Sequence, residues 1–85
     1  MSVKVKDKGA TVRIRWMFSK ADILKKDITR VFDLEDYAGD ASIDYYFGHP
    51  TVNMDRIVIE AGKERYLIYT NNGYNLKNYL EKALR

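Results

Sequence analysis

The chain has 85 residues, 46% of them hydrophobic and 32% charged, with no cysteine, one histidine and a formal net charge of +3. This composition belongs to ordinary globular proteins; it excludes disordered and collagen-like chains, disulfide staples and thiolate-based structural zinc sites, and it fits a reducing compartment such as the bacterial cytoplasm. A chain this short buries only somewhat more than ~60% of its unfolded surface, which leaves room for one domain over residues 1–85 and no second core.

The elements are predicted as follows. Val3 and Val5 alternate with Lys4 and Lys6, Asp7-Lys8-Gly9 signals a turn, and Val12, Ile14 and Trp16 alternate with Arg13, Arg15 and Met17. Alternation of this kind describes a hairpin with one face buried. Ser19-Lys20-Ala21-Asp22 is expected to turn the chain, and Ile23-Leu24 and Ile28 to Leu34 supply two short extended pieces around Lys25-Lys26-Asp27. The run Asp27 to Phe32 also reads as a helical turn. An acidic loop between Asp33 and Ser42 precedes a strand in which Ile43, Tyr45 and Phe47 share a face. Gly48-His49-Pro50 ends that strand, because proline cannot donate to a ladder. Arg56 to Glu60 places Ile57 and Ile59 on one face, Ala61 to Glu64 turns, and Tyr66 and Ile68 answer from the returning strand.

From Tyr74 the period changes. Leu76, Tyr79, Leu80, Ala83 and Leu84 recur at helical spacing and form one apolar stripe. Asn72 or Asn75 suits the N-cap, and Lys82 and Arg85 suit the negative pole at the far end. A lone amphipathic helix must bury its stripe against the sheet, most economically across an open end of it. The predicted fold is therefore mainly β: one continuous meander of about seven strands, curled into an antiparallel barrel or sandwich and capped by one C-terminal helix, the architecture of a pleckstrin-homology-like (PH-like) domain. No stretch approaches the roughly 18 apolar residues of a transmembrane helix, and the first residues lack the hydrophobic region of a secretory signal.

Several residue patterns in order carry a family likeness: Trp16-x-Phe18-Ser19, Asp27-Ile28-x-x-Val31, Glu35-Asp36-Tyr37-x-Gly39, Gly48-x-Pro50 followed by Asp55 to Ile59, and Tyr66-x-Ile68-Tyr69-Thr70-Asn71-Asn72 before the helix. On these the stretch from Trp16 to Leu84 resembles the bacterial PH-like domain of the sublancin immunity protein (SunI) relatives. The resemblance implies a small non-catalytic protein that protects a producing bacterium from its own antimicrobial peptide, acting at the membrane. Since this chain carries no hydrophobic anchor, it is expected either to work as a soluble or peripheral protein or to be part of a longer one. The expected location is the cytoplasm, with peripheral contact at the inner membrane face.

The inventory for catalysis is thin. His49 is the only histidine, and without cysteine any nucleophile-base constellation would have to centre on it. No phosphate-cradling glycine motif appears. The acidic run fails the EF-hand pattern: counted from Asp33 as position 1, the glycine needed at position 6 is Ala38, and Tyr37 replaces an oxygen ligand at position 5. Neither enzyme activity, metal nor cofactor is expected.

Binding is expected instead. Exposed loops on a rigid sheet commonly carry recognition, so the resemblance makes Glu35, Asp36, Tyr37, Gly39 and Asp40 the first candidates, with a cationic peptide or a membrane protein as partner. Tyr46 and Tyr69, read as lying side by side on the face opposite Tyr45, Phe47 and Ile68, would add an exposed apolar patch. Charge offers a second candidate. Residues 1–30 carry nine Lys/Arg against three Asp, whereas residues 31–60 carry one Arg against seven acids. Lys4, Lys6, Arg13 and Arg15 share one hairpin face, and Lys8, Arg13 and Arg15 loosely match the basic spacing of eukaryotic PH domains that hold phosphoinositides. Such a face suits anionic lipid, and lysines on an exposed strand also resist aggregation. The tyrosines do not interleave with the basic cluster as a single-strand nucleic-acid binder requires, so no nucleic acid is expected. Self-association through edge strands is a third possibility.

Overall fold

The computed structural model describes residues 2–39 and 41–85. The first hairpin forms as its alternation predicts: β1 (Lys4–Asp7) pairs antiparallel with β2 (Thr11–Trp16), Val5 facing Ile14 across the ladder. The next turn is displaced from its expected place. Ser19–Leu24 is a full strand, β3, whose first residue Ser19 pairs with Trp16, so the turn consists of Met17 and Phe18 alone. Two-residue hairpin turns require positive φ, and Met17 takes φ 54° at a position where glycine or asparagine is usual. A bulky residue there hides the turn from the sequence.

A 3₁₀ turn at Lys25–Asp27 leads into β4 (Ile28–Asp33). Its pairing with β6 (Asp55–Ala61) shifts register between Ile28 and Arg30. The bulge lets Ile28 and Val31, three apart, both pack on the main core, which is why this run mimics a helical turn in the sequence. β6 returns antiparallel through Gly62-Lys63 into β7 (Glu64–Thr70), with Ile57 opposite Ile68 and Ile59 opposite Tyr66 as predicted.

The sheet is not a continuous meander. β5 (Tyr45–Phe47) runs parallel to β7 at the far edge of a four-stranded sheet ordered β4-β6-β7-β5. Parallel neighbours need a crossover, and the described residues between β4 and β5 (34–39 and 41–44) supply it over the outer face of this sheet. Leu34, Tyr37 and Ile43 thereby pack on Phe32, Val58 and Leu67, a second apolar cluster. Ile43 thus belongs to the outer cluster, while Phe47 faces the main core. Asp44 fixes the end of the strap: its backbone N–H donates to the Arg65 carbonyl (3.0 Å), and its carboxylate accepts from the Arg65 backbone N–H (2.8 Å).

The three-stranded sheet β1-β2-β3 and the four-stranded sheet pack as a sandwich. Among the described residues no ladder joins them into a closed barrel. The main core between them holds Val12, Ile14, Ile23, Ile57, Ile59 and Ile68, each at most 4% exposed. Each such side chain contributes about 1.5–3 kcal/mol through removal from water. The helix α1 (Gly73–Ala83) closes the sandwich against β4, β6 and β1, its Leu80 wholly buried. Asn72 is the N-cap, accepting from the Asn75 backbone N–H at 3.2 Å. The Gly73 N–H donates to Asp55 Oδ2 at 2.8 Å, so close that a Cβ at Gly73 would lie 2.8 Å from the Asp55 Cβ. Glycine here is a packing requirement.

Candidate functional site

The expected recognition loop is tied to the fold through Glu35 and Tyr37, while Glu35, Asp36 and Gly39 remain exposed. Asp33 caps the turn at Leu34–Asp36 by accepting from the Glu35 backbone N–H, and Glu35 Oε1 accepts from the Arg56 guanidinium at 3.3 Å. Tyr37 stacks on Phe32 with ring centroids 4.9 Å apart, and the Arg30 guanidinium lies 4.5 Å from the Phe32 centroid and 5.1 Å from that of Tyr37. Asp36 and Gly39 are exposed, Gly39 with φ 113°, and Asp40 lies outside the described residues. The segment is a strap over the second core.

Tyr46 and Tyr69 share one face of the four-stranded sheet without being direct partners. The register sets Tyr46 opposite Leu67, while Tyr69 lies on β7 opposite Arg56 and packs on the second core. The parallel pairing of β5 with β7 makes them diagonal neighbours on adjacent strands. Tyr45 instead stacks on Tyr66 at 5.0 Å, and the hydrogen bond from its phenol to Glu64, with the charge of that carboxylate, raises its pKa above the ordinary range. His49 sits edge-on to Trp16, ring centroids 5.0 Å apart, on the wall of a groove of about 360 Å³ beside Gly48, Met54 and Tyr69. Among the described residues no group of three or more His, Cys, Asp or Glu side chains gathers to hold a metal ion.

The basic side chains do converge. On the outer face of the three-stranded sheet, Arg15 stands directly opposite Lys4 on one side and Lys20 on the other, and Arg13 stands between Lys6 and Asp22. Lys4, Lys6, Lys8, Arg13 and Arg15 line one shallow depression of about 270 Å³. Arg13 is held by Asp22 at 2.7 Å; that hydrogen bond, with the attraction between the charges, pushes the Asp22 carboxyl below the usual carboxylate range and raises Arg13. Among the described residues, Lys4, Lys6, Lys8, Arg15 and Lys20 have no carboxylate within ion-pair distance. Like charges facing each other across a ladder oppose folding. The Lys4–Arg15–Lys20 row is therefore a cost that an anion would relieve.

This face runs into the β2–β3 turn, where Met17 is 52% and Phe18 102% exposed. An aromatic ring wholly in water at a rigid hairpin tip beside unpaired cations is the second component of the site. The sequence reading missed Lys20 and Phe18 because it treated residues 19–22 as a turn and Phe18 as a strand end. The signal available was the positive charge of Lys20 two residues beyond Phe18, which a hairpin reading would have aligned with Arg15.

A family model described as "SunI-like bacterial PH domain" matches residues 1–82. The chain is 29% identical over 72 residues to the UPF0457 protein YnzG of Bacillus subtilis (strain 168), covering 85% of this chain and 87% of that protein. It is 28% identical over 76 residues to a UPF0457 protein of Geobacillus thermodenitrificans (strain NG80-2), covering 89% and 82% respectively. No solved structure matches the chain significantly.

Proposed function

This chain belongs to the SunI-like bacterial PH domain family, and from that premise we propose that it is a non-catalytic binding module that docks on an anionic membrane surface. The observation that carries the reading is the Lys4–Arg15–Lys20 row, three cations in register with no acid among them, continuous with the exposed Phe18 tip. Each Lys or Arg held near an anionic leaflet contributes about 1 kcal/mol, and the attraction fades over a Debye length. Phe18 supplies the apolar anchor that electrostatics alone lacks, since its ring leaves water only when it enters the interface. No helix among the described residues is long and apolar enough to cross a membrane, so contact in this reading is made by the sheet face and the hairpin tip. Protection against an antimicrobial peptide, the role implied by the family likeness, would be exercised from that docked position.

The test is sedimentation with vesicles containing about one-third phosphatidylglycerol against pure phosphatidylcholine vesicles. Wild-type protein is expected to sediment with the first and not the second, and to be released by high salt. The pair Arg15→Glu and Lys20→Glu should stay in the supernatant. Equal sedimentation of this variant with the anionic vesicles would overturn the reading.

A further inference from the structure

β3 is an edge strand: among the described residues it pairs with β2 and with no other strand. In a two-residue hairpin the residues flanking the turn exchange both backbone bonds, so Ser19, Ala21 and Ile23 point theirs toward β2. Lys20 and Asp22 consequently turn their N–H and C=O groups, and Leu24 its N–H, to the free edge, where among the described residues no other backbone group answers them; the Leu24 carbonyl is taken by the 3₁₀ turn that follows. Natural edges of this kind are usually covered, bulged or shortened. This one is six residues long and open.

The ground beside that edge is a trough. At the Phe18 end a groove of about 810 Å³ separates β3 from β5 and is walled by Tyr45, Tyr46 and Tyr66. At the Leu24 end a smaller hollow of about 240 Å³ continues past Tyr66 to Glu64, Gly62 and Asp27. Asp27, Asp44 and Glu64 border the trough against one cation, Lys63, while Lys20 and the Arg13-paired Asp22 turn their side chains to the outer face. The charge balance is opposite to that of the neighbouring sheet face.

We propose that the free edge of β3 takes up an extended segment of a partner protein or peptide as an additional strand, with basic side chains at alternate positions facing the trough. Strand addition uses main-chain bonds for affinity and alternate side chains for selectivity. Inward side chains of the added strand pass over the Tyr45–Tyr66 stack, whose rings lie 5.0 Å apart, toward the carboxylates of Glu64 and Asp44. Arginine suits that path because its guanidinium stacks on aromatic faces and pairs with carboxylates. Outward side chains of the added strand lie beside Lys20 and Asp22 and are best polar and uncharged.

The test uses a ten-residue peptide alternating arginine with threonine, a copy with glutamate in place of arginine, and a copy of the arginine peptide N-methylated throughout. Amide exchange and chemical shifts of the full chain are followed by NMR in membrane-free buffer. The arginine peptide should slow exchange at Lys20, Asp22 and Leu24 in proportion to occupancy, about tenfold with nine-tenths of the protein bound. The other two peptides should leave these amides unchanged. Glu64→Lys should weaken the arginine peptide about threefold or more at low salt. Protection by the N-methylated peptide would overturn strand addition, and equal protection by the glutamate peptide would overturn the charge assignment. Protection that appears without peptide and grows with protein concentration would assign the edge to a second copy of this chain and overturn the proposal. Vesicles are absent throughout, so none of these outcomes depends on the membrane reading.

Discussion

Replacing Arg15 by glutamate should make the protein more stable and less able to bind anionic vesicles. Arg15 faces Lys4 on β1 and Lys20 on β3. A cross-strand pair of opposite charge contributes roughly 0.2–1 kcal/mol, and a like pair opposes folding by a similar amount. Arg15→Glu turns two repulsive pairs into attractive ones, which at low salt amounts to about 1–2 kcal/mol after a few tenths are lost to the lower strand preference of glutamate. Arg15→Gln removes the repulsion without adding attraction and should gain about half as much. For a domain of this size each 1 kcal/mol raises Tm by about 4–8 °C. The assay is thermal and urea unfolding of the three proteins in dilute buffer and again in about 1 M NaCl, where the Debye length falls to ~3 Å and the differences should largely vanish. An Arg15→Glu protein no more stable than wild type at low salt, or a gain insensitive to salt, would refute the claim that the row is held against its own repulsion.

Three further outcomes follow from the packing and the titrating groups. Gly48→Ala should lose about 2–3 kcal/mol by urea unfolding, because φ is 103° and the new Cβ would meet Tyr69 Cβ, the Tyr69 carbonyl and Val3 Cγ2 at 3.0 Å; a near-neutral result would contradict that close approach. Tyr37→Ala should lose about 2 kcal/mol or more, since the ring covers Phe32 and sits beneath Arg30; unchanged stability would mean that the strap does not seal the second core. Hydrogen bonding from Arg65, together with the charge of Arg30, holds the Glu60 carboxyl below its ordinary value. A carboxylate depressed in the folded state contributes stability that is present above its unfolded pKa and is lost as pH falls through the folded one. Glu60→Gln should therefore flatten the acid limb of the stability profile below about pH 4.5, and an acid limb as steep as that of the wild type would remove Glu60 from the account.

How far the sequence foretold this can be seen element by element. Period-two alternation was sufficient for β1, β2, β6 and β7, because each buries one row of side chains against the main core. Helical spacing and Asn72 were sufficient for α1. Three features were not legible. The tight turn at Met17-Phe18 uses residues that carry no turn signal, so the start of β3 resembles a loop in the sequence. The Thr29 bulge gave β4 an apolar spacing of three. The crossover was hidden because Leu34, Tyr37 and Ile43 are spread through an acidic segment, and only the tertiary arrangement reveals that they cover the outside of the sheet. The same three gaps shaped the site. Alternation placed Lys4, Lys6, Arg13 and Arg15 on one face, as the register bears out, while Lys20 and Phe18 were lost with the turn. The acidic loop looked free because its structural partners, Arg56, Phe32 and Arg30, are distant in sequence or belong to another pattern.

The most direct measurement is the orientation of the domain on lipid. Isotope-labelled protein bound to nanodiscs of phosphatidylglycerol and phosphatidylcholine, doped with a lipid carrying a paramagnetic headgroup, reports proximity residue by residue through line broadening. The account predicts the strongest broadening at Met17 and Phe18, falling off through Arg15, Lys20 and Lys4, with α1 spared. Broadening centred on Glu35 to Gly39 or on the helix, or none beyond that seen with phosphatidylcholine alone, would contradict it.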